Sequence, residues 1–185
     1  MALTYSGIAH QTIEVSLRAK PPELLAISPK ATVPVLHLSD GTVLEQSLEI
    51  MRWALSQHDP EGWLIAEDES EITHWITLCD STFKPLLDRY KYANRHPELT
   101  VDQHRAKAIS DFISPLENAL QAKRDKGYRP SLADVAMFPF VRQFAAVDQA
   151  WFDEQPLPAL QAWLSHWLAS DLFTKCMAKS TVRFA

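Results

Sequence analysis

The pattern of apolar and polar positions changes once along this 185-residue chain, near residue 60. Before that point Thr12–Leu17 alternates apolar and polar residues, which is typical of a half-buried strand. The stretches "VPVLHLS", from Val33, and "TVLEQ", from Thr42, predict two further strands. Asp40–Gly41 between them is a strong hairpin signal, so we expect these two strands to pair with each other.

Three helices are predicted beside these strands. The opening "MALTYSG" predicts one or two helical turns that end at Gly7, since glycine is favoured just after a helix. The segment "PPELLAI" begins with prolines, which a first helical turn tolerates, and predicts a short helix ending before Pro29. A third helix is predicted from Ser47, because apolar residues recur at helical spacing until the linker-like "HDPEG".

Beyond Trp63 the periodicity is helical throughout. The predicted helices cover roughly Glu69–Asn94, Val101–Lys126 with Pro115 inside it, one within 127–148, and one followed by a short tail helix within 156–180. We therefore expect an α/β domain at residues 1–60 and an all-helical domain at residues 64–185.

Composition excludes several classes of function. The net charge is -5 and no cluster of lysine and arginine is present, which argues against nucleic acid as a partner. No apolar run approaches the ~20 residues of a membrane-spanning helix, and the N-terminus does not resemble a signal peptide. The two cysteines, Cys79 and Cys176, and the seven histidines have no metal-ligand spacing. Such sparse cysteine usage favours a cytoplasmic protein, and Cys79 is predicted to be an inert, partly buried thiol.

Pro34 is out of place inside an apolar, β-branched run. Proline cannot donate a hydrogen bond to a sheet, so a strand interior should exclude it. From the residues alone two explanations stay open. Either Pro34 belongs to a frayed edge strand, or the Val33–Pro34 peptide bond is cis and turns the backbone.

The order of elements, together with "TVPVL", "LEQSLEI" and "PSLADVAMFPF", resembles the cytosolic glutathione S-transferase family, in particular its omega-like and bacterial members. The resemblance covers nearly the whole chain. It implies a truncated thioredoxin-like domain followed by the family's helical C-terminal domain. It also implies that the bond before Pro34 is cis.

The resemblance further implies a glutathione-binding site. The peptide groups of Val33, before Pro34, would pair with the cysteinyl part of glutathione like an added strand. Gln46 and Ser47 open a helix whose unpaired N–H groups suit a carboxylate, and the Gln46 amide can accept from the ammonium of the ligand. Lys20 has the spacing at which omega-like members carry a lysine for the glycyl carboxylate.

Ser131 and Asp134 match the family's buried capping box, Ser/Thr-x-x-Asp. In such a box the first residue and the residue three positions later satisfy backbone donors at the start of a helix. This pair is a structural prediction and not a catalytic one.

Relative to the family's pattern, the sequence starts at what corresponds to the end of the first helix. The resemblance therefore implies that the first strand, the catalytic loop and most of that helix are missing, and the catalytic residue is unknown. Tyr5 and Ser6 lie at a helix C-terminus, where a thiolate is not stabilised. Three ways of completing the sheet stay open: Thr12–Leu17 could pair with the Val33 strand, a second copy could supply strands, or the segment could be loosely held. We favour the first two, because its apolar residues favour burial.

These features lead to two hypotheses. The first is a glutathione S-transferase-like protein that conjugates glutathione to a small electrophile or exchanges its thiol, with glutathione as substrate and no metal. The second is a non-enzymatic module of the same fold that serves binding or assembly. The resemblance implies a homodimer in either case.

Overall fold

The computed structural model describes residues 1–16, 18–65 and 68–178. The chain divides into two compact units: Met1–Leu64 together with the segment that begins at Asp171, and Ile65–Ser170. The domain boundaries 1–60 and 64–185 stay a prediction. The two units differ from these predicted domains in one feature: the last helix, which the prediction placed in the second domain, groups with the first unit.

The described residues contain two short strands and eleven α-helices. They are α1 (Ala2–Tyr5), α2 (Pro22–Ile27), β1 (Leu36–His37), β2 (Val43–Leu44), α3 (Ser47–Gln57), α4 (Glu69–Leu78), α5 (Lys84–Lys91), α6 (Val101–Ala108), α7 (Ser114–Asp125), α8 (Leu132–Val147), α9 (Gln149–Asp153), α10 (Pro158–Ala169) and α11 (Asp171–Met177). This is an α/β unit with a minimal sheet and a second unit made of helices.

The turns of the first unit follow from local sequence. Gly7 has a φ of +65° and ends α1, and the N–H of Ile8 donates to the carbonyl of Leu3 at 3.0 Å, as in a Schellman motif. β1 and β2 are antiparallel. Gly41, at a φ of +89°, lies in the hairpin turn between them, where the Leu38 N–H donates to the carbonyl of Thr42.

The expected strand at Thr12–Leu17 is wrong over its described part. Residues 12–16 form no strand, and the only pairing there is an isolated bridge between Ser16 and Ala19; Leu17 lies outside the described residues. Ile13 and Val15 are half-buried without belonging to a ladder. Alternation along a sequence shows which face a strand would bury, but a strand also needs a neighbour for its peptide groups.

The two long helices predicted in the second unit are each interrupted by a π turn. Between α4 and α5 the N–H of Lys84 donates to the carbonyl of Cys79, and between α6 and α7 the N–H of Ser114 donates to that of Ile109. A proline, Pro85 or Pro115, is the second residue after each turn. Proline lacks an N–H and its ring clashes with the carbonyl four residues back, so a locally wider helix accommodates it.

Aromatic side chains from the π turns and from α8 and α9 fill the core of the second unit. Phe83 and Phe112, both fully buried, stack with ring centroids 4.2 Å apart and planes 9° from parallel. The ring of Phe144 on α8 lies 5.8 Å from that of Phe83. Burial of such rings stabilises a fold strongly, because each removes a large apolar surface from water.

A buried carboxylate joins two helices of the second unit. Glu117 on α7 is 6% exposed, and its two oxygens accept the N–H groups of Ala159 and Leu160 at 3.0 and 2.7 Å. These N–H groups belong to the first turn of α10, which has no partners of its own for them. Glu117 therefore caps a helix that lies more than forty residues later in the chain.

Candidate functional site

Four of the residues predicted to bind glutathione flank the β1–β2 hairpin in the chain. Leu36 lies opposite Leu44, and His37 lies opposite Val43. Pro34 and Val33 lie two and three positions before β1, and Gln46 and Ser47 lie two and three positions after β2. Because the strands are antiparallel, the start of β1 and the end of β2 lie at the same end of the hairpin, where β2 leads into α3.

Val33 offers open peptide groups at this end of the hairpin. The Val33–Pro34 bond is cis, the isomer that the resemblance implies. In the described residues, neither the N–H nor the C=O of Val33 takes part in a backbone hydrogen bond, and its side chain is 44% exposed. Backbone N–H and C=O groups form hydrogen bonds wherever a partner is within reach. The N–H and C=O of Val33, which have no backbone partner, can therefore pair with an added extended peptide.

α3 presents its N-terminus at the same end. Gln46, the N-cap residue, has extended backbone (φ -111°, ψ 134°), and its side chain makes no capping hydrogen bond. Gln46 and Ser47 are both exposed. The N–H groups of the first turn have no partner within the helix, and the helix dipole adds positive potential there. An anion with two oxygens suits this end of α3.

Lys20 does not belong to the hairpin. It lies after the bridge between Ser16 and Ala19 and before α2, and its side chain is exposed. Over the ranges that the structure covers, Lys20 makes no hydrogen bond and no ion pair. Its role toward a carboxylate stays a prediction from the resemblance.

Three further residues at this end escaped the sequence-based prediction. The fully buried hydroxyl of Ser28 donates to Oε1 of Glu45, and Lys30 Nζ lies 3.0 Å from Oε2 of the same carboxylate. The hydrogen bond from Ser28, followed by that from Lys30, holds the pKa of Glu45 below its ordinary value. The charge on Glu45, next to Gln46, was the available signal, but its partners lie 15 and 17 positions earlier in the chain.

Ala31 sets the direction of the chain into the Val33 segment. Its φ of +51° lies in the left-handed region, which residues other than glycine rarely adopt. Its N–H donates to the carbonyl of Ser28 at 2.8 Å, and its side chain is buried. Strained backbone of this kind persists where surrounding contacts hold it, and it is frequent next to binding sites.

Cys79 and Tyr5 are not activated for chemistry. Cys79 is 2% exposed, and burial raises the pKa of its thiol to about 12. Tyr5 stacks on Trp63 at 3.5 Å, its hydroxyl donates to Asp59 and accepts from the N–H of Glu61, and burial raises its pKa. These groups are engaged in structure, and no described residue is identified as catalytic.

Ser131 and Asp134 form a capping box at the start of α8. The Asp134 carboxylate, 3% exposed, accepts from the N–H and the hydroxyl of Ser131 at 2.8 and 2.9 Å. It also accepts from the Tyr128 hydroxyl at 2.7 Å and from Nε1 of Trp163 at 2.8 Å. The box therefore anchors α10 as well as α8, a link that the local motif does not reveal.

The described residues contain neither a metal-binding cluster nor a membrane-spanning helix. No group of three or more His, Cys, Asp or Glu side chains among residues 1–16, 18–65 and 68–178 is arranged to hold a metal ion. Within the same ranges, none of the helices has both the length and the apolar character that crossing a bilayer requires.

Comparison with known proteins assigns this fold to a family. The family model "Glutathione S-transferase, N-terminal domain" matches residues 1–57, and "Glutathione S-transferase, C-terminal domain" matches residues 100–166. The fold, the hairpin and both matched domains define a two-domain protein of thioredoxin-like and helical parts. The chain belongs to the glutathione S-transferase family, whose standard chemistry is glutathione conjugation or thiol exchange.

Individual relatives agree with this assignment. The chain is 26% identical over 171 residues to glutathione S-transferase omega-1 of Sus scrofa, a match covering 89% of this chain and 68% of the relative. Its match to the Mus musculus protein of the same name is 24% identical over 152 residues, and covers 80% of this chain and 62% of the relative. The glutathione transferase URE2P6 of Phanerochaete chrysosporium, solved with oxidized glutathione, shares the fold with a TM-score of 0.76 at 17% identity, over 94% of this chain and 86% of that one.

Proposed function

We propose that this chain binds glutathione at the open end of the β1–β2 hairpin. The peptide groups of Val33, before Pro34, pair with the cysteinyl part of the tripeptide. The N–H groups of α3 and the Ser47 hydroxyl receive a carboxylate, and the Gln46 amide accepts from the ammonium. Lys20 is assigned to the glycyl carboxylate by resemblance alone.

The observation that carries this proposal is the antiparallel hairpin. Val33 precedes β1 and Ser47 follows β2 at the same end of the hairpin, and the Val33 peptide groups have no backbone partner in the described residues. An extended peptide can therefore add to Val33 while the carboxylate beside its ammonium group reaches the N-terminus of α3. The oxidized glutathione bound in the URE2P6 structure supports the glutathione tripeptide as a ligand of this fold.

The proposed reaction is attack of the glutathione thiolate on a small electrophile, or exchange of its thiol with a glutathionyl adduct. In both, the sulfur of glutathione loses its proton and forms the new bond, and the leaving group or the second thiol departs. The residue that stabilises the thiolate is not among those assigned here. Glutathione enters as substrate, and the proposal needs no metal.

The second candidate is a non-enzymatic module of the same family that uses its fold for binding or assembly. The state of Cys79 and Tyr5 supports it, since Cys79 is buried with a raised pKa and Tyr5 is held by Asp59 and Glu61. We further propose a homodimer and a cytoplasmic location, the latter on the two free cysteines.

Titration calorimetry with glutathione up to ten millimolar tests the binding proposal. We expect millimolar or tighter binding, weakened about tenfold when Gln46→Ala and Ser47→Ala are combined, because two hydrogen bonds to charged groups are lost. Ser56→Ala, near the other end of α3, is the matched control and should leave binding unchanged. Lack of binding by the unmodified chain would overturn the proposal.

An assay with an aryl halide and one with a glutathionylated peptide separate the two candidates. Turnover that requires glutathione supports the transferase. Glutathione binding without turnover in either assay supports the non-enzymatic module. Light scattering over a range of protein concentrations tests the homodimer, and a monomer at high concentration would contradict it.

A further inference from the structure

Two segments that the proposed site needs are joined by three side chains. Glu45 precedes the N-cap residue of α3, and both of its carboxylate oxygens are engaged. Oε1 accepts from Ser28 and Oε2 accepts from Lys30, two residues of the turn that leads into the Val33 segment. This Ser28–Lys30–Glu45 cluster therefore links the turn before Val33 to the residue before the N-cap of α3.

The hydrogen bond from Ser28 to Glu45 is made by the buried member of the cluster. Ser28 is 0% exposed, and its carbonyl accepts the N–H of Ala31, which holds the left-handed turn. A buried hydroxyl without a partner is costly, so the Ser28–Glu45 bond resists opening. The side chain of Lys30 is 67% exposed, and a pair of this kind contributes little to stability.

The exposed pair with Lys30 has an electrostatic consequence at the site. The Glu45 carboxylate stands one residue before the N-cap of the helix that would receive the carboxylate of glutathione. Uncompensated, its negative charge opposes an anion at that helix end, whereas the Lys30 ammonium at 3.0 Å neutralises it. The pair therefore matters more for the charge of the site than for the fold.

We propose that the Ser28–Lys30–Glu45 cluster positions the Val33 segment against α3 and neutralises Glu45 so that the site accepts an anionic ligand. This inference rests on the proposed glutathione site. It makes Lys30 and Glu45 positioning residues, since they act through the backbone and the local charge and are not assigned a contact with the ligand.

The test is calorimetry with reduced glutathione on four variants of the full chain. Lys30→Gln leaves Glu45 uncompensated, and we expect about three- to fivefold weaker binding. Lys30→Arg keeps the charge and should bind within about twofold of the unmodified chain. In Lys30→Gln combined with Glu45→Gln the pair is neutral again, and binding should return to within about twofold. Lys175→Gln, an exposed lysine on α11, makes the same change in net charge and should have no effect.

Thermal unfolding of each variant separates an effect on binding from an effect on stability. Because Lys30 is exposed, its substitution should change the melting temperature little while it changes the affinity for glutathione. Unmodified protein that binds glutathione, with Lys30→Gln binding equally well, would overturn the inference and leave the proposed function standing. Failure of the double variant to recover affinity would also overturn it. Unmodified protein that does not bind would overturn the proposed function, and the role of the cluster with it.

Discussion

The two units of this chain reach order by different means. The second unit rests on stacked and buried rings, above all Phe83 and Phe112, and on buried carboxylates that cap helices, Glu117 and Asp134. The region around the β1–β2 hairpin has two-residue strands and depends on a left-handed alanine and on a cluster that includes an exposed lysine. The core that stabilises the second unit and the proposed chemistry at the hairpin therefore lie in different regions. We expect the second unit to tolerate little change in side-chain volume, and the hairpin region to be sensitive to charge and backbone direction.

The largest effect is expected in the aromatic core. Phe112→Ala removes a fully buried ring that stacks on Phe83, and we expect a loss of about 3–5 kcal/mol in the free energy of unfolding of the second unit. Urea unfolding followed by tryptophan fluorescence measures it. Leu168→Ala, at a side chain 41% exposed, is the control and should cost less than about 1 kcal/mol. A loss at Phe112 as small as the control would show that the stack does not carry the unit.

The next effect concerns the buried carboxylate at the start of α8. Asp134→Asn leaves fewer acceptors for Ser131, Tyr128 and Trp163, and we expect a loss of about 2–3 kcal/mol in the free energy of unfolding. The exposed Asp125→Asn is the matched control, with a change within about 0.5 kcal/mol. Equal effects of both substitutions would contradict a capping role for Asp134.

Motifs with short spacing were predictable from the sequence, and contacts across many residues were not. The Ser131–Asp134 box needs residues only three apart, and the start of α3 at Ser47 follows from apolar residues at helical spacing. The bond from Trp163 to Asp134 spans 29 positions, and no pattern in the sequence connects them. The alternation at Thr12–Leu17 predicted a strand that its described part does not form, because pairing depends on a neighbour.

Local backbone choices set a second limit on prediction from sequence. Pro115 was expected inside a long helix, and the helix accommodates it through a π turn that periodicity cannot distinguish from an α-helix. Ala31 carries no signal for a positive φ, since alanine favours helices and glycine is the residue expected there. For the proposed site, the family pattern predicted the ligand-binding residues, whereas the contacts among Ser28, Lys30 and Glu45 required the structure.

Substitutions at Ala31 test whether backbone direction governs the hairpin region. Ala31→Val places a β-branched side chain at a φ of +51°, and we expect a loss of about 2 kcal/mol in the free energy of unfolding of the first unit. Ala31→Gly should change it by less than about 1 kcal/mol, because relief of strain offsets the added entropy of the unfolded chain and the lost methyl. Thermal unfolding measures both. Equal tolerance of valine and glycine would mean that the turn is not strained.

The smallest effect is a dependence on pH at the same turn. Ser28 and then Lys30 lower the pKa of Glu45 below its ordinary value of about 4.5, so the folded state favours the ionised carboxylate. That stabilisation is present above the unfolded pKa and is lost as pH falls through the lower, folded pKa. The difference in melting temperature between the unmodified chain and Glu45→Gln should therefore stay constant from pH 7 to pH 5 and shrink on further acidification, since glutamine does not titrate. Glu23→Gln, at an exposed residue of α2, is the control. If this difference in melting temperature were the same at pH 3 as at pH 7, the ionised carboxylate would add nothing to stability beyond what an amide provides. The hairpin would then depend on backbone direction alone.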